Sequence, residues 1–379
     1  DVAAYKALMD AGVVYAKKTG LVPGVSLSAE QVAGLTSDIV WLEIKTVWVN
    51  GQPQDVVYPR VYLRASSNMA LQADGSLLSA NQMVIQTKQA LQNEGILQGK
   101  TIRIQAGFIN HTGRMLGQDV SLASDTDIQQ DGLLTATDRV ELKAGRHIAM
   151  QASADHLTHQ DVLNRTAGIA VTGNHGVLIA SAGKDIHLAG AALEALGDKG
   201  TVILQAGGDV NLTAQTLAAK KDMTQDGDNY LRTYRQTEIG TAVDAKGGIA
   251  IQAGQDIHAR AAYLNSDQGT VALTAGRDIT LTAGREVTAD DYGLKHTASG
   301  LLSSTTTTVR THDQHEGVLG TVMTGEQLQM KANRDTDITA GTLVGQDSTS
   351  LSSGRHLRTT SGTQRDETDI YQHVSTSGM

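Results

Sequence analysis

The sequence contains no cysteine in 379 residues. That removes disulfides, thiolate metal sites and cysteine nucleophiles together. It suits an export route in which the chain must stay unfolded and uncrosslinked. Aromatic residues make up only 3%, with a single phenylalanine, and there are only three prolines. A globular core normally draws on larger aromatic side chains, so a core of many small aliphatic layers is expected instead. No apolar run approaches the ~18 residues of a membrane span, and no charged-then-apolar signal peptide opens the chain. The first residue is Asp1, which reads as an internal fragment whose targeting signals lie elsewhere. Net charge is -9, so no basic field exists to hold a nucleic acid backbone or an anionic membrane surface. Nucleic acid is not an expected partner.

What the chain has in quantity is glycine, forty residues of it, and the glycines are periodic. The phrases Gly75-Ser76-Leu77-Leu78, Gly95-Ile96-Leu97-Gln98, Gly113-Arg114-Met115-Leu116 and Gly132-Leu133-Leu134-Thr135 begin 20, 18 and 19 residues apart. Each is followed by an alternating run such as Ile102-Arg103-Ile104, which puts every second side chain on one face of a strand. One turn of a three-stranded β-helix needs about this many residues, and periods of 20 to 50 residues mark repeat folds.

A second phrase, apolar-x-apolar-x-Ala-Gly-x-Asp-apolar-x-apolar, then takes over. It runs Val140 to Met150, Leu178 to Leu188, Val202 to Leu212, Ile249 to Ala259, Val271 to Leu281 and, with Asn333 for glycine, Leu328 to Ile338. Five residues before the glycine position stand Val140, Leu178, Val202, Ile249, Val271 and Leu328; one before stands alanine in every copy. No repeat can bury its apolar stripe alone, so stacking must supply the core, at about 1.5–3 kcal/mol per buried aliphatic side chain. The alanine is expected at a corner where a larger side chain would overpack. The glycine is expected to supply an unusual backbone angle, and the aspartate two residues on to hydrogen-bond turn amides.

Spacing shows a higher order. Gly183 to Gly207, Gly254 to Gly276 and Asn333 to Gly354 are 24, 22 and 21 residues, but the intervals between those pairs are 47 and 57. Plain coils therefore alternate with coils carrying excursions, placed at residues 215–246 and 286–325, with another beginning near 357. Their sequences, such as Tyr230 to Arg235 and the threonine run within Ser303 to Arg310, read as β-hairpins or extended flaps.

The first sixty residues differ. They hold both tryptophans, Trp41 and Trp48. Ala3 to Lys18 predicts an amphipathic helix, and Ser28-Ala29-Glu30-Gln31 has capping-box spacing. Ile39 to Val49 and Val56 to Leu63 predict strands flanking Asn50-Gly51, a hairpin signal, with a connection longer than two residues. An α/β segment of this kind would cover the open edge of a first coil. The expected organisation is an all-β chain: an α/β capping segment at 1–60, regular coils at 61–139, and repeats with excursions at 140–379.

Chemistry-bearing constellations are few. The column Asp185, Asp209, Asp256, Asp278 and Asp335, with His147 in its place in the first copy, forms a ladder. A polysaccharide-cleaving site needs two or three carboxylates converging in one groove, whereas one per coil reads as structural turn chemistry. Gly207-Gly208-Asp209-Val210-Asn211-Leu212 echoes calcium-binding nonapeptides, but the period here is near 20 rather than nine. His156 with His159, and His312 with His315, have a spacing that clamps metal on a helix, yet neither pair sits in a helical pattern. No nucleophile elbow or P-loop appears. Catalytic, cofactor and metal residues are therefore assigned to none. Tyr230, Arg232, Tyr234 and Arg235 form a candidate contact patch that otherwise packs on its own rod.

The phrase Leu35-Thr36-Ser37-Asp38-Ile39-Val40-Trp41-Leu42 with Val61-Tyr62-Leu63-Arg64, the Ala-Gly-x-Asp-Ile phrase and Ser299-Gly300-Leu301-Leu302 together resemble the large exoproteins of two-partner secretion systems. These are the filamentous haemagglutinins and the CdiA-type effectors of contact-dependent growth inhibition. The resemblance covers nearly the whole chain. It implies a right-handed parallel β-helix, exported through an outer-membrane two-partner secretion transporter and displayed at the bacterial cell surface. In the CdiA type, such a repeat block lies between the receptor-binding part and the C-terminal toxin, and is implied in carrying toxin across the target's outer membrane. The family's secretion domain and toxin motifs are not among these residues.

Three functions follow as expectations. The first is a structural rod of about a dozen coils at ~4.8 Å each, roughly 60 Å long, that displays and helps deliver a toxin, meeting a target-cell receptor or outer membrane. The second is an adhesin segment binding host glycans or receptors through the excursions. The third is a glycan-active enzyme.

Overall fold

The computed structural model describes residues 2–19, 22, 27, 35, 39–49, 52–62, 76–156, 160–165, 167–300 and 302–378. Ser28 to Gln31, Asn50, Gly51, Gly75, His159 and Leu301 lie outside them. The chain divides into two compact units, Asp1–Ser76 and Leu77–Met379, so the boundary falls at residue 76 rather than 60.

The first unit has one helix, Val2–Thr19, close to the predicted span. Its antiparallel hairpin pairs Ile39–Val49 with Gln52–Tyr62. The second strand starts four residues earlier than expected: Val49 stands opposite Gln52 and Trp48 opposite Pro53. The expectation of a long connection fails because a two-stranded ribbon has only outer edges, and there a proline without an N–H is tolerated. Leu27, Leu35, Ile39 and Trp41 pack together with Ala11, Tyr15 and Ala16 on the helix.

The second unit is built almost wholly of strands. Leu77–Gln86, Ile96–Ala106, Arg114–Ser124 and Leu133–Ala144 stack in parallel. The ladder then forks, because Leu133 to Ala136 pair with Gly168–Val171 while Arg139 to Ala144 pair with Val177–Ala182. One arm continues through Ala192–Ala195, Ala242–Ala245 and Tyr263–Asn265. The other continues through Thr201–Ala206, Gly248–Ala253 and Thr270–Ala275. Both arms rejoin on Val322–Ala332. Ten strands are thereby closed into a ring of parallel pairings. A separate parallel ladder runs from Ala90–Asn93 to Leu357–Thr360.

Register places the six copies of the repeat on top of one another. Val140, Leu178, Val202, Ile249, Val271 and Leu328 are successive partners, and all are buried. The alanine column from Ala144 to Ala332 pairs likewise and is also buried. Apolar residues from Met83 to Ile338 form one continuous cluster. Alternation along each strand thus becomes a single core, because a period of two sends every second side chain inward.

The column glycines do not supply the unusual backbone angle expected of them. Among the described residues the only glycines with positive φ are Gly190 and Gly248, neither in the column. A Cβ on Gly183, Gly207, Gly254 or Gly276 would instead collide with the carbonyl oxygen of the column glycine stacked beneath it. Glycine is required there for close approach of two backbones rather than for an unusual angle.

The excursions are strands of one antiparallel sheet. Val210–Thr224 leaves the parallel ladder at Ala214 and pairs with Tyr230–Gly240. That strand pairs with Gly284–Ser299, which pairs with Ser303–Leu319, which pairs with Arg365–Gly378. The hairpin of Ser153–His156 and Asp161–Arg165 meets its other side through the bridge of Gln160 to Ala219. The boundaries shift from those expected. The first excursion ends at Gly240 rather than 246, the second spans Gly284 to Leu319 rather than 286–325, and the third starts after Thr360 rather than near 357. Residues 242–245 and 322–324 belong to the parallel arms. Each return is marked by a buried threonine, Thr241 or Thr321. Thr241 Oγ1 lies 3.0 and 2.9 Å from the carbonyl oxygens of Leu188 and Thr213, either of which can take its single hydroxyl hydrogen.

Candidate functional site

The aspartate column occupies the corner that follows each alanine-glycine pair. Asp209 donates its N–H to Asp185 Oδ1 at 2.8 Å, Asp256 to Asp209 Oδ1 at 2.9 Å, Asp278 to Asp256 Oδ1 at 3.0 Å and Asp335 to Asp278 Oδ1 at 3.0 Å. Each carboxylate therefore caps a backbone donor of the next layer, a donor that would be costly to leave unpaired. The expected bond to amides of its own turn is replaced by one between layers.

The ladder is longer than the repeat phrase suggested. Asp127 accepts the N–H of His147 at 3.0 Å, and Asp335 accepts that of His356 at 3.1 Å. The signal for Asp127 was the variant phrase Ser124-Asp125-Thr126-Asp127, in which serine and aspartate stand for alanine and glycine. A flanking arginine column was also missed. Arg146 bonds Asp127 at 2.6 Å, Arg277 bonds Asp256 at 2.6 Å and Arg355 bonds Asp335 at 2.5 Å. At Asp335 desolvation pushes the carboxyl upward, but the bonds from Arg355 and the His356 N–H outweigh it and hold the group below its ordinary value. These carboxylates sit one per layer, each engaged with the next. They do not converge on a shared groove in the way acid–base pairs must.

The candidate contact patch lies on the strand Tyr230–Gly240 in the middle of the antiparallel sheet. Arg232 stacks over the Tyr230 ring, 4.6 Å from its centre, and faces Asp222 at 3.5 Å. Arg235 bonds Asp290 at 2.8 Å, which raises its pKa further through that hydrogen bond. Tyr234 donates its hydroxyl to Gln236 at 2.6 Å. The polar groups of the patch are thus engaged by their own sheet. A nearly buried Glu238 accepts two hydrogen bonds from Arg260, at 2.8 and 2.7 Å, and ties this sheet to the parallel ladder.

The histidine pairs do not form helical clamps. His312 and His315 lie on the strand Ser303–Leu319, where residues three apart point to opposite faces, and His315 is paired with Asp366. His156 ends the strand Ser153–His156, and His159 is outside the described residues. The group that does assemble is His147, Asp185 and His187, whose ligand-type atoms all lie within 4.8 Å of one another. In the sequence His147 stands only as a substitute in the aspartate column; the proximity of His187 depends on parallel register.

Stacked parallel strands, a buried alanine column and an aspartate ladder that caps backbone N–H groups define a repeat protein. Residues 224–300 match the family model described as Hemagglutinin repeat. Nearly the whole chain is similar to CdiA proteins. It is 23% identical over 99% of its length to the tRNA nuclease CdiA-2 of Burkholderia pseudomallei and 27% identical over 98% to the 16S rRNA endonuclease CdiA of Enterobacter cloacae. Over 52% of its length it is 30% identical to the Toxin CdiA of Escherichia coli. These matches support a haemagglutinin-repeat region of the CdiA type. The chain spans only 14%, 13% and 6% of those three relatives. No solved structure matches the chain significantly.

Proposed function

We propose that this chain is a rod segment of a large secreted exoprotein, a right-handed parallel β-helix that displays a C-terminal toxin and helps deliver it to neighbouring bacteria in contact-dependent growth inhibition. The observation that carries the reading is the continuous parallel register from Val140 to Leu328 over a single core. The chain visits the two arms and the separate ladder in a fixed rotation: Gly168–Val171, Val177–Ala182, Ile186–Ala189, then Ala192–Ala195, Thr201–Ala206, Val210–Thr224. Each round is one coil in this reading. Contacts between neighbouring coils alone let such a fold propagate as the chain emerges, which suits export through an outer-membrane two-partner secretion transporter and display at the cell surface. Its wall does no chemistry in this proposal, and the target-cell receptor or outer membrane is met by the rod during delivery. Among the described residues no helix is long and apolar enough to cross a membrane, which says nothing of strand-built spans.

The test uses the parent exoprotein with residues 77–379 removed in frame. Producer cells that still bind targets but no longer inhibit them support a delivery role; unchanged inhibition refutes it. Small-angle scattering of residues 77–379 should give an elongated profile, and a nearly spherical one refutes the rod.

An adhesin segment is the second reading, favoured by the exposed Ile370, Tyr371 and Val374 on the outer strand of the antiparallel sheet. Replacing residues 215–239 with a short Gly-Ser turn separates the two. Loss of cell binding with an intact rod favours adhesion. A glycan-active enzyme would require polysaccharide turnover that vanishes with Asp256→Asn.

A further inference from the structure

We propose that His147, Asp185 and His187 form a binding site for a divalent transition-metal ion of the zinc class. The three come from two stacked layers. The strands Ile148–Gln151 and Ile186–Ala189 are parallel, with Ile148 opposite Ile186 and Ala149 opposite His187. Ile148, Met150, Ile186 and Leu188 point into the core, so His147, Asp185 and His187 share the outer wall.

Asp185 differs from Asp127, Asp256 and Asp335 in how its outer oxygen is used. Its Oδ1 caps the Asp209 N–H like every other ladder carboxylate. On Asp127, Asp256 and Asp335 the outer oxygen, Oδ2, is taken by an arginine of the next layer. The residue at that arginine's place above Asp185 is Gly208, where any Cβ would collide with Asp185 Oδ1. Gly208 brings no cation to that place, and Oδ2 faces imidazoles instead. His147 Nδ1 is 3.3 Å from it and His187 Nε2 is 4.0 Å from it. His147 Nδ1 is buried and has no hydrogen-bond partner. The side-chain amide of Asn211 lies 3.1 Å from His187 Nδ1. In the structure the amide nitrogen faces Nδ1; turning the amide over puts its oxygen on Nδ1–H, which fixes the ring and leaves the Nε2 lone pair facing Asp185, the support that metal-bound histidines usually have.

Two imidazole nitrogens and one carboxylate oxygen suit zinc and its neighbours rather than calcium or magnesium. Donors around a tetrahedral zinc stand about 3.3 Å apart, so His147 and Asp185 are already spaced for it, and His187 Nε2, 4.0 Å from Asp185 Oδ2, would have to move closer. The fourth position is left to solvent, since His187 is half exposed. A bound ion would clip two layers at the point where the Ser153–Arg165 excursion leaves the stack. This inference is independent of the delivery role.

The test titrates the metal-stripped 379-residue chain with ZnCl2 by calorimetry and with CoCl2 by visible absorbance. One equivalent of zinc should bind, with a tetrahedral or five-coordinate cobalt spectrum and a rise in thermal midpoint. His147→Ala, His187→Ala and Asp185→Asn should each weaken binding at least tenfold, and Asn211→Ala about tenfold through ligand orientation. Asp185→Asn keeps an acceptor for the Asp209 N–H, and His187→Ala removes a half-exposed ring, so the metal-free midpoints should stay near that of the parent. His315→Ala should bind zinc normally. The proposal is overturned if the parent takes up no zinc, if the His147 and His187 variants bind as well as the parent, or if His315→Ala abolishes uptake.

Discussion

Gly183 lies so close to Gly145 of the neighbouring layer that a β-carbon on Gly183 would strike the Gly145 carbonyl oxygen. The same relationship recurs where Gly207 meets Gly183, Gly254 meets Gly207 and Gly276 meets Gly254. Because the obstruction is backbone rather than a flexible side chain, Gly207→Ala should destabilise the chain by about 1–3 kcal/mol, the usual cost of overpacking. Gly227, with nothing nearby, should accept alanine without loss. Urea unfolding followed by circular dichroism checks the pair, and equal midpoints for both variants would contradict the crowding argument.

Asp256 caps the Asp278 N–H and also bonds Arg277 through both oxygens. Asp256→Ala strands a partly buried N–H, which should cost about 1–3 kcal/mol. Asp256→Asn keeps the acceptor and should lose less. Amide exchange at Asp278 should rise sharply in the alanine variant and little in the asparagine variant; equal exchange would remove the cap from the account.

Glu194 and Asp244 are direct partners across parallel strands. Burial, then the Asp244 charge, pushes the Glu194 carboxyl above its ordinary value. A carboxyl raised in the fold favours the native state at low pH, and that contribution is lost as pH rises from the unfolded value through the folded one. Glu194→Gln should therefore stabilise the chain at pH 7, by roughly 0.2–1 kcal/mol for adjacent like charges. The gain should vanish below about pH 4, where the parent glutamate is protonated. Thermal midpoints at pH 3.5 and 7 decide it, and a gain independent of pH would rule out the charge as cause.

Arg260 holds Glu238 through two hydrogen bonds, and Glu238 is only 8% exposed. Arg260→Ala leaves a nearly buried carboxylate with only the Arg285 N–H, at 3.3 Å. Since Arg260 itself is partly exposed, the loss should fall near the low end of the ~3–5 kcal/mol seen on breaking buried pairs. It should be confined to the antiparallel sheet. Limited proteolysis should cut within residues 214–240 while leaving the parallel ladders intact, and an unchanged digest would mean the pair does not anchor the sheet.

The sequence by itself determined the repeat, its inward face and the positions at which layers recur. Those signals are local: alternation of Val202, Leu204 and Ala206, or the step from Ala206 and Gly207 to Asp209, is complete within a dozen residues. The register that stacks Val202 on Leu178 and under Ile249 followed from matching those phrases. Excursion ends were misplaced because the short arm strand Ala242–Ala245 carries too little alternation to be told from a flap until its partner Ala192–Ala195 is known. Only tertiary structure decided that the three excursions form one sheet, that the column glycines serve contact rather than backbone angle, and that His147 meets His187. Each depends on which residues of different layers lie side by side. With layers 20 to 60 residues apart in the chain, that adjacency is set by the stacking of whole strands and leaves no mark in the residues between.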